Sequence, residues 1–220
     1  MDRAEATLDD LRQSHWFDRV VMLSDGVFAI AITLLAFDIH GPARWSTLAD
    51  IWSALAPQLD MYALSFLVIS VYWLAHRRFM AMIVRIDAPA TVLNLIFLAL
   101  VTLLPAATKL VHAGGPTQAS MVVYSALVVG IGVALACLWG YAGLVGDLVQ
   151  PDVIRPVRWF LLVLILLTPP LFLFLVNGFG NVPYFVAPLL LALLFIVGWP
   201  LRLFVLHRLQ ANRHPTLKVR

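Results

Sequence analysis

Between Arg19 and Ile39 the chain carries an almost wholly apolar run, interrupted only by Ser24, Asp25, Thr33 and Asp38. At about 1.5 Å of rise per residue, a helix of roughly twenty residues spans the hydrocarbon of a bilayer. A carboxylate inside that span costs roughly 2.5–3.5 kcal/mol on the mildest insertion scale, so Asp25 requires a partner or water. Few folds accommodate such a segment: it is a transmembrane helix with one side committed to something polar.

A helical wheel at about 100° per residue groups Gly26, Val27, Ile30, Thr33, Leu34 and Phe37 on one stripe and puts Asp25 nearly opposite. Ala29 and Ala36, small enough to admit a neighbouring helix, lie near the acid. Periodicity alone leaves two readings of the stripe, since an apolar i, i+3, i+4, i+7 run suits a buried core as well as a pathway lining.

With 62% apolar and 12% charged residues, the chain has more hydrophobic surface than a soluble domain of 220 residues can hide. Segments of spanning length fall at about 20–39, 57–75, 89–109, 118–140, 157–176 and 183–206, which predicts an all-α, polytopic membrane protein with six transmembrane helices. Residues 1–18 are charged and lack the apolar core of a cleaved signal, so they read as a cytoplasmic N-terminal segment; 19–208 form one transmembrane domain, and 209–220 a basic tail. On this layout thirteen of the fifteen Lys and Arg residues share the side of the termini, Arg77 and Arg78 among them. That bias places both termini in the cytoplasm. It also accounts for the formal charge of +3 without nucleic acid.

Several helix ends carry proline. Pro57 is expected in the first turn of the second helix, Pro105 should interrupt the third, and Pro169-Pro170 should break or bend the fifth. The loop 141–158 reads as a solvated connector, and Ser125 as a hydroxyl bonded to its own helix. A lone Cys137 excludes an intrachain disulfide, and no Cys or His spacing suits a metal. No nucleophile, base and acid can be assembled, so no enzymatic activity, cofactor or catalytic residue is expected.

The polar residues inside the spans are few. Trp73 and His76 share a face at i and i+3, and Asn94 lies about 10 Å into the third segment, at a depth comparable to Asp25. Arg19 and Asp25 are about 240° apart on their helix and cannot pair within it. The expected solution routes Arg19, Ser24 and Asp25 to His76 and Asn94 across helices, with Trp73 counted in the network because it shares the face of His76, although His76 also reads as an interfacial histidine with a solvated ring.

Arg19 followed by Leu23-Ser24-Asp25-Gly26-Val27-Phe28, then Trp73-Leu-Ala-His76, Asn94-Leu95 and Leu104-Pro105, resembles the signature of the transmembrane protein 175 family, which comprises endolysosomal potassium channels and their bacterial and archaeal homologues. Leu23 stands where that family usually has Phe. The resemblance implies a potassium-permeable channel in the plasma membrane of a bacterium or archaeon, a homotetramer when each chain has one six-helix unit, with helix 1 of each subunit lining the pore. It implies a hydrophobic constriction, or gate, at Ile30, Leu34 and Phe37 with Thr33 hydroxyls between them, and a packing network for the polar set. The motif occurs once, and one such helix cannot enclose a pathway, which agrees with a symmetric oligomer. Asp38 and Asp60 are expected to attract cations at the outer mouth. Two other readings remain: a proton-coupled transporter using Asp25 and His76, and a structural membrane subunit that conducts nothing.

Overall fold

The computed structural model describes residues 2–42, 44, 46–114 and 117–178. The sixth apolar segment, 183–206, and the basic tail fall outside them. The order is α1 (Asp2–Phe37), α2 (Leu48–Met80), α3 (Ala88–Thr102), α4 (Leu104–Gly114), α5 (Gln118–Gly140), a π-helical turn (Tyr141–Val145) and α6 (Arg155–Gly178). Among the described residues no strand forms. Four stretches among the described residues are long and apolar enough to cross a membrane: Arg12–Phe37, Leu48–Met80, Ala88–Val111 and Ala119–Val145.

Helix starts follow their caps. Thr47 and Asp50 form a reciprocal capping box, so α2 begins at Leu48 and Pro57 lies in its interior, not in its first turn. Two satisfied backbone donors at the cap outweigh the preference of proline for a helix start. Asp87 caps α3 through Ala90 N–H at 2.9 Å, and Thr117 caps α5 through Ser120 N–H at 3.3 Å. The span containing Pro105 is interrupted as its missing N–H requires: α3 ends at Thr102 and α4 begins at Leu104.

Helix α6, by contrast, passes through Pro169-Pro170 without a break. Pro169 cannot donate to the carbonyl of Ile165, but the Thr168 hydroxyl donates to that oxygen at 2.7 Å and takes over the lost bond. The proline ring also packs onto α5, since a Cβ on Gly132 would collide with Pro169 and approach Tyr72 Oη to 3.1 Å. Glycine is needed there for the close approach of the two helices.

Phe79 and Trp139, with ring centroids 4.8 Å apart, and the buried Ile131, Leu135 and Leu161 fill the centre. A polar cluster joins α2, α4 and α5: Ser65 Oγ lies 2.8 Å from Thr108 Oγ1 and 3.2 Å from Tyr124 Oη. Ser125 Oγ is buried without a partner, contrary to the expected bond to its own helix.

The loop 141–158 is built, not a solvated connector. Its Val149 forms an antiparallel bridge with Ile83, flanked by Val84 N–H to Leu148 O at 2.9 Å and Gln150 N–H to Met82 O at 3.0 Å. Arg158, 8% exposed, donates to Val153 O, Gly143 O and Asp147 Oδ1, and its own carbonyl accepts from Trp139 Nε1. Asp147 reaches this partner with φ at +46°, and the hydrogen bond from Arg158 holds its carboxyl below the ordinary carboxylate range.

Candidate functional site

Helix α1 turns one narrow stripe inward. Val20, Ser24, Phe28, Ala31 and Leu35 are buried, spaced at the four- and three-residue intervals of a single helix face. Ser24 donates to Val20 O at 2.8 Å and accepts from Asn94 Nδ2 at 3.0 Å. Asn94 Oδ1 lies 2.8 Å from His76 Nε2. Since an amide oxygen only accepts, His76 carries its proton on Nε2, and the donors run in one direction from α2 through α3 to α1. Each of the three side chains is at most 1% exposed.

Aromatic rings close this chain off. His76 stacks on Phe97 with centroids 5.3 Å apart and planes 7° apart, and Phe28 covers it from α1 at 5.7 Å. Neither phenylalanine belongs to the polar set that spacing singles out. Each nevertheless lies one turn from a member of it, Phe28 four residues after Ser24 and Phe97 three after Asn94, and so shares that member's face.

Asp25 sits at the rim of the packed face. It is exposed, and Oδ1 accepts a 2.9 Å bond from Trp73 Nε1. Arg77 lies over the Trp73 ring, 5.3 Å from its centroid, bringing a cation to the same aromatic that holds the acid. Arg19 is exposed and bonds to none of these residues. The structure therefore joins Ser24, His76 and Asn94 in one chain and Asp25 to Trp73 in a second, with Arg19 outside both.

The other side of α1 is exposed and packs against none of the described helices. Ile30, Leu34 and Phe37 are 59%, 43% and 77% exposed, and Thr33 is exposed beside them. The Thr33 hydroxyl donates to Ile30 O at 2.9 Å, which leaves its oxygen lone pairs directed outward. Gly26, on the same side, has no neighbour within 4 Å of a hypothetical Cβ. Asp38, where α1 ends, pairs with Lys109 of α4 at 3.1 Å, and Asp60 is exposed on α2. Spacing gave no hint of the Lys109 pairing. Among the described residues no group of three or more His, Cys, Asp or Glu side chains is placed to hold a metal.

Comparison with known proteins identifies the family of this fold. Residues 19–105 match the family described as the endosomal/lysosomal potassium channel TMEM175. A Streptomyces collinus protein named as a potassium channel is 35% identical over 145 residues, which cover 63% of this chain and 70% of that one. The mouse protein named endosomal/lysosomal proton channel TMEM175 is 27% identical over 138 residues, 28% of its length. The crystal structure of a lysosomal potassium-selective channel TMEM175 homolog from Chamaesiphon minutus superposes with a TM-score of 0.62 at 28% identity, covering 81% of this chain and 97% of that one. The chain belongs to the TMEM175 family.

Proposed function

We propose that the protein is a potassium-permeable cation channel in which α1 of each subunit lines the pathway. The observation that carries this reading is the division of α1: one stripe is locked into the subunit by a buried polar chain, while Ile30, Thr33, Leu34 and Phe37 stand exposed on the other side. Apolar side chains exposed in the middle of a membrane span face lipid or one another. A symmetric ring of subunits makes them face one another and encloses a passage.

In this arrangement Ile30, Leu34 and Phe37 form successive apolar rings, and the Thr33 oxygens supply ligands between them. Rings of this kind gate by excluding water. The assembly is a homotetramer of six-helix subunits, with 183–206 as the sixth span, 19–208 as the channel domain and 209–220 as a basic tail. The charge bias supports cytoplasmic termini in a bacterial or archaeal plasma membrane. Asp38 and Asp60 lie toward the outer mouth on this topology.

Permeation by protons is the second reading, favoured by the name of the mouse relative. A relay through Asp25 and His76 has little support, because each is committed to a different partner, Trp73 and Asn94. The deciding experiment reconstitutes purified protein in liposomes and imposes potassium, sodium and proton gradients separately. Potassium flux exceeding sodium flux supports the channel, flux only under a proton gradient favours the second reading, and silence under all three removes both.

A further inference from the structure

The bridged loops bring three arginines to one carboxylate. Arg158 is buried and spends its donors on Val153 O, Gly143 O and Asp147. Arg85, one residue past the Val84 to Leu148 bond, and Arg155, one turn before Arg158 on α6, also act on Asp147 electrostatically. Both are exposed, neither is hydrogen-bonded to a described residue, and the acid they share is already committed to Arg158. Asp152, also exposed, forms no ion pair with either. Among the described residues, then, neither arginine has a carboxylate of its own.

What lies beside them is apolar. Trp159, Val163 and Leu167 are 55%, 49% and 57% exposed and follow Arg155 at four-residue steps, one line down the face of α6. A free inorganic anion has no use for that line, whereas a phospholipid presents a phosphate at the level of Arg155 and a hydrocarbon chain below it. With 157–176 as the fifth span, Trp159, one turn inside the helix, falls at the depth at which interfacial indoles sit.

We propose that Arg85 and Arg155 hold the headgroup phosphate of an anionic phospholipid whose acyl chain lies along Trp159, Val163 and Leu167. Arg158 and Asp147 position the pair by pinning the loop that carries the site. A basic residue near an anionic membrane surface contributes roughly a fivefold preference, so the two together favour an anionic lipid on the order of twentyfold over a zwitterionic one.

The test uses the full chain in phosphatidylcholine bilayers containing a rising share of phosphatidylglycerol brominated in its acyl chains, with tryptophan fluorescence as readout. Quenching beyond that given by the same share of brominated phosphatidylcholine reports selective binding. Wild type is expected to show a saturable excess corresponding to a preference of about twentyfold. The Arg85→Gln/Arg155→Gln variant, altered only at exposed side chains, is expected to lose most of that preference. Trp159→Phe should remove the excess quenching while the remaining indoles still report ordinary lipid contact. Equal quenching by the two lipids, an excess retained by either variant, or an excess abolished by millimolar inorganic phosphate overturns the proposal, the last because it assigns the site to a free anion.

Discussion

His76 lies parallel to Phe97 at 5.3 Å and bonds Asn94, one turn before Phe97 on the same helix, so a single ring is gripped by α3 through both its face and its edge. Ser24 extends this grip to α1. Helix α1 is thereby fixed to α2 and α3 by groups that lie off its exposed Ile30–Phe37 stripe.

Breaking that grip should lower stability more than it alters ion preference. Asn94→Ala leaves His76 Nε2–H without its acceptor and Ser24 Oγ without its donor, at about 1–3 kcal/mol for a buried orphan. Thermal unfolding of the purified variant in detergent is expected to occur several degrees lower, while the channels that do assemble keep the wild-type potassium to sodium ratio. An unchanged melting temperature with altered selectivity removes the packing role.

Asp25 and Trp73 form one unit at the rim of this face. Asp25→Asn retains an oxygen to accept from the indole but loses the charge, and Trp73→Phe leaves the carboxylate without its donor. Both should reduce the yield of assembled oligomer on size exclusion, Trp73→Phe more severely, because an unpaired acid in a span costs a few kcal/mol. A fully assembled Asp25→Asn oligomer with changed selectivity contradicts this assignment.

Lys109 complicates the outer acids. Its 3.1 Å pair with Asp38 neutralises the nearest negative charge, and Asp60 is exposed. Lys109→Gln should therefore raise inward cation current at low salt, and Asp38→Asn should lower it, with both effects fading as the Debye length shortens to about 8 Å at physiological ionic strength. Currents indifferent to both substitutions at low salt place these charges away from the pathway.

The Asp147 to Arg158 pair makes a pH prediction. Its folded carboxyl is held below the ordinary carboxylate range, so the stability it contributes is present at neutral pH and is lost as pH falls through that depressed value. Asp147→Asn should flatten the acid limb of a melting-temperature profile relative to wild type and leave little difference between the two at the lowest pH. Profiles of the same slope show that the pair does not couple to folding.

Much of this fold is legible in hydropathy because a continuous apolar run of about twenty residues crossing lipid satisfies its backbone only as a helix, whatever its detailed sequence. The face of α1 is legible for the same geometric reason, since Ile30, Thr33, Leu34 and Phe37 recur at the helical period; which side meets the chain is a tertiary fact that period cannot carry. Arg158 shows where such reading stops. An arginine near a helix end suits a topology count as well as a buried site, and only the carbonyls of Gly143, in the π turn, and Val153, in the turn before α6, distinguish them. Pro169 stays in a helix because of a hydroxyl one residue earlier, a local compensation that a tally of prolines overlooks. Phe28 and Phe97 carry no polar signal and are apparent only once His76 lies between them.

The exposed stripe of α1 gives the sharpest test. A hydrated ion passing a ring of Ile30 or Leu34 side chains must shed water against apolar carbon that offers nothing in return, so narrowing the ring raises the barrier and widening it lowers the barrier. Ile30→Ala and Leu34→Ala are expected to raise conductance and relax the preference for potassium. Thr33→Ala should weaken selectivity with a smaller effect on conductance, because it removes oxygen ligands while changing little volume. Ile32, half-buried on the flank, is the appropriate control, since Leu35 is 3% exposed and its truncation costs about 2–5 kcal/mol of stability in its own right. Single-channel recordings in bilayers separate the cases. If Ile32→Ala alters permeation while the Ile30 and Leu34 variants leave conductance and selectivity untouched, α1 does not line the pathway with this face.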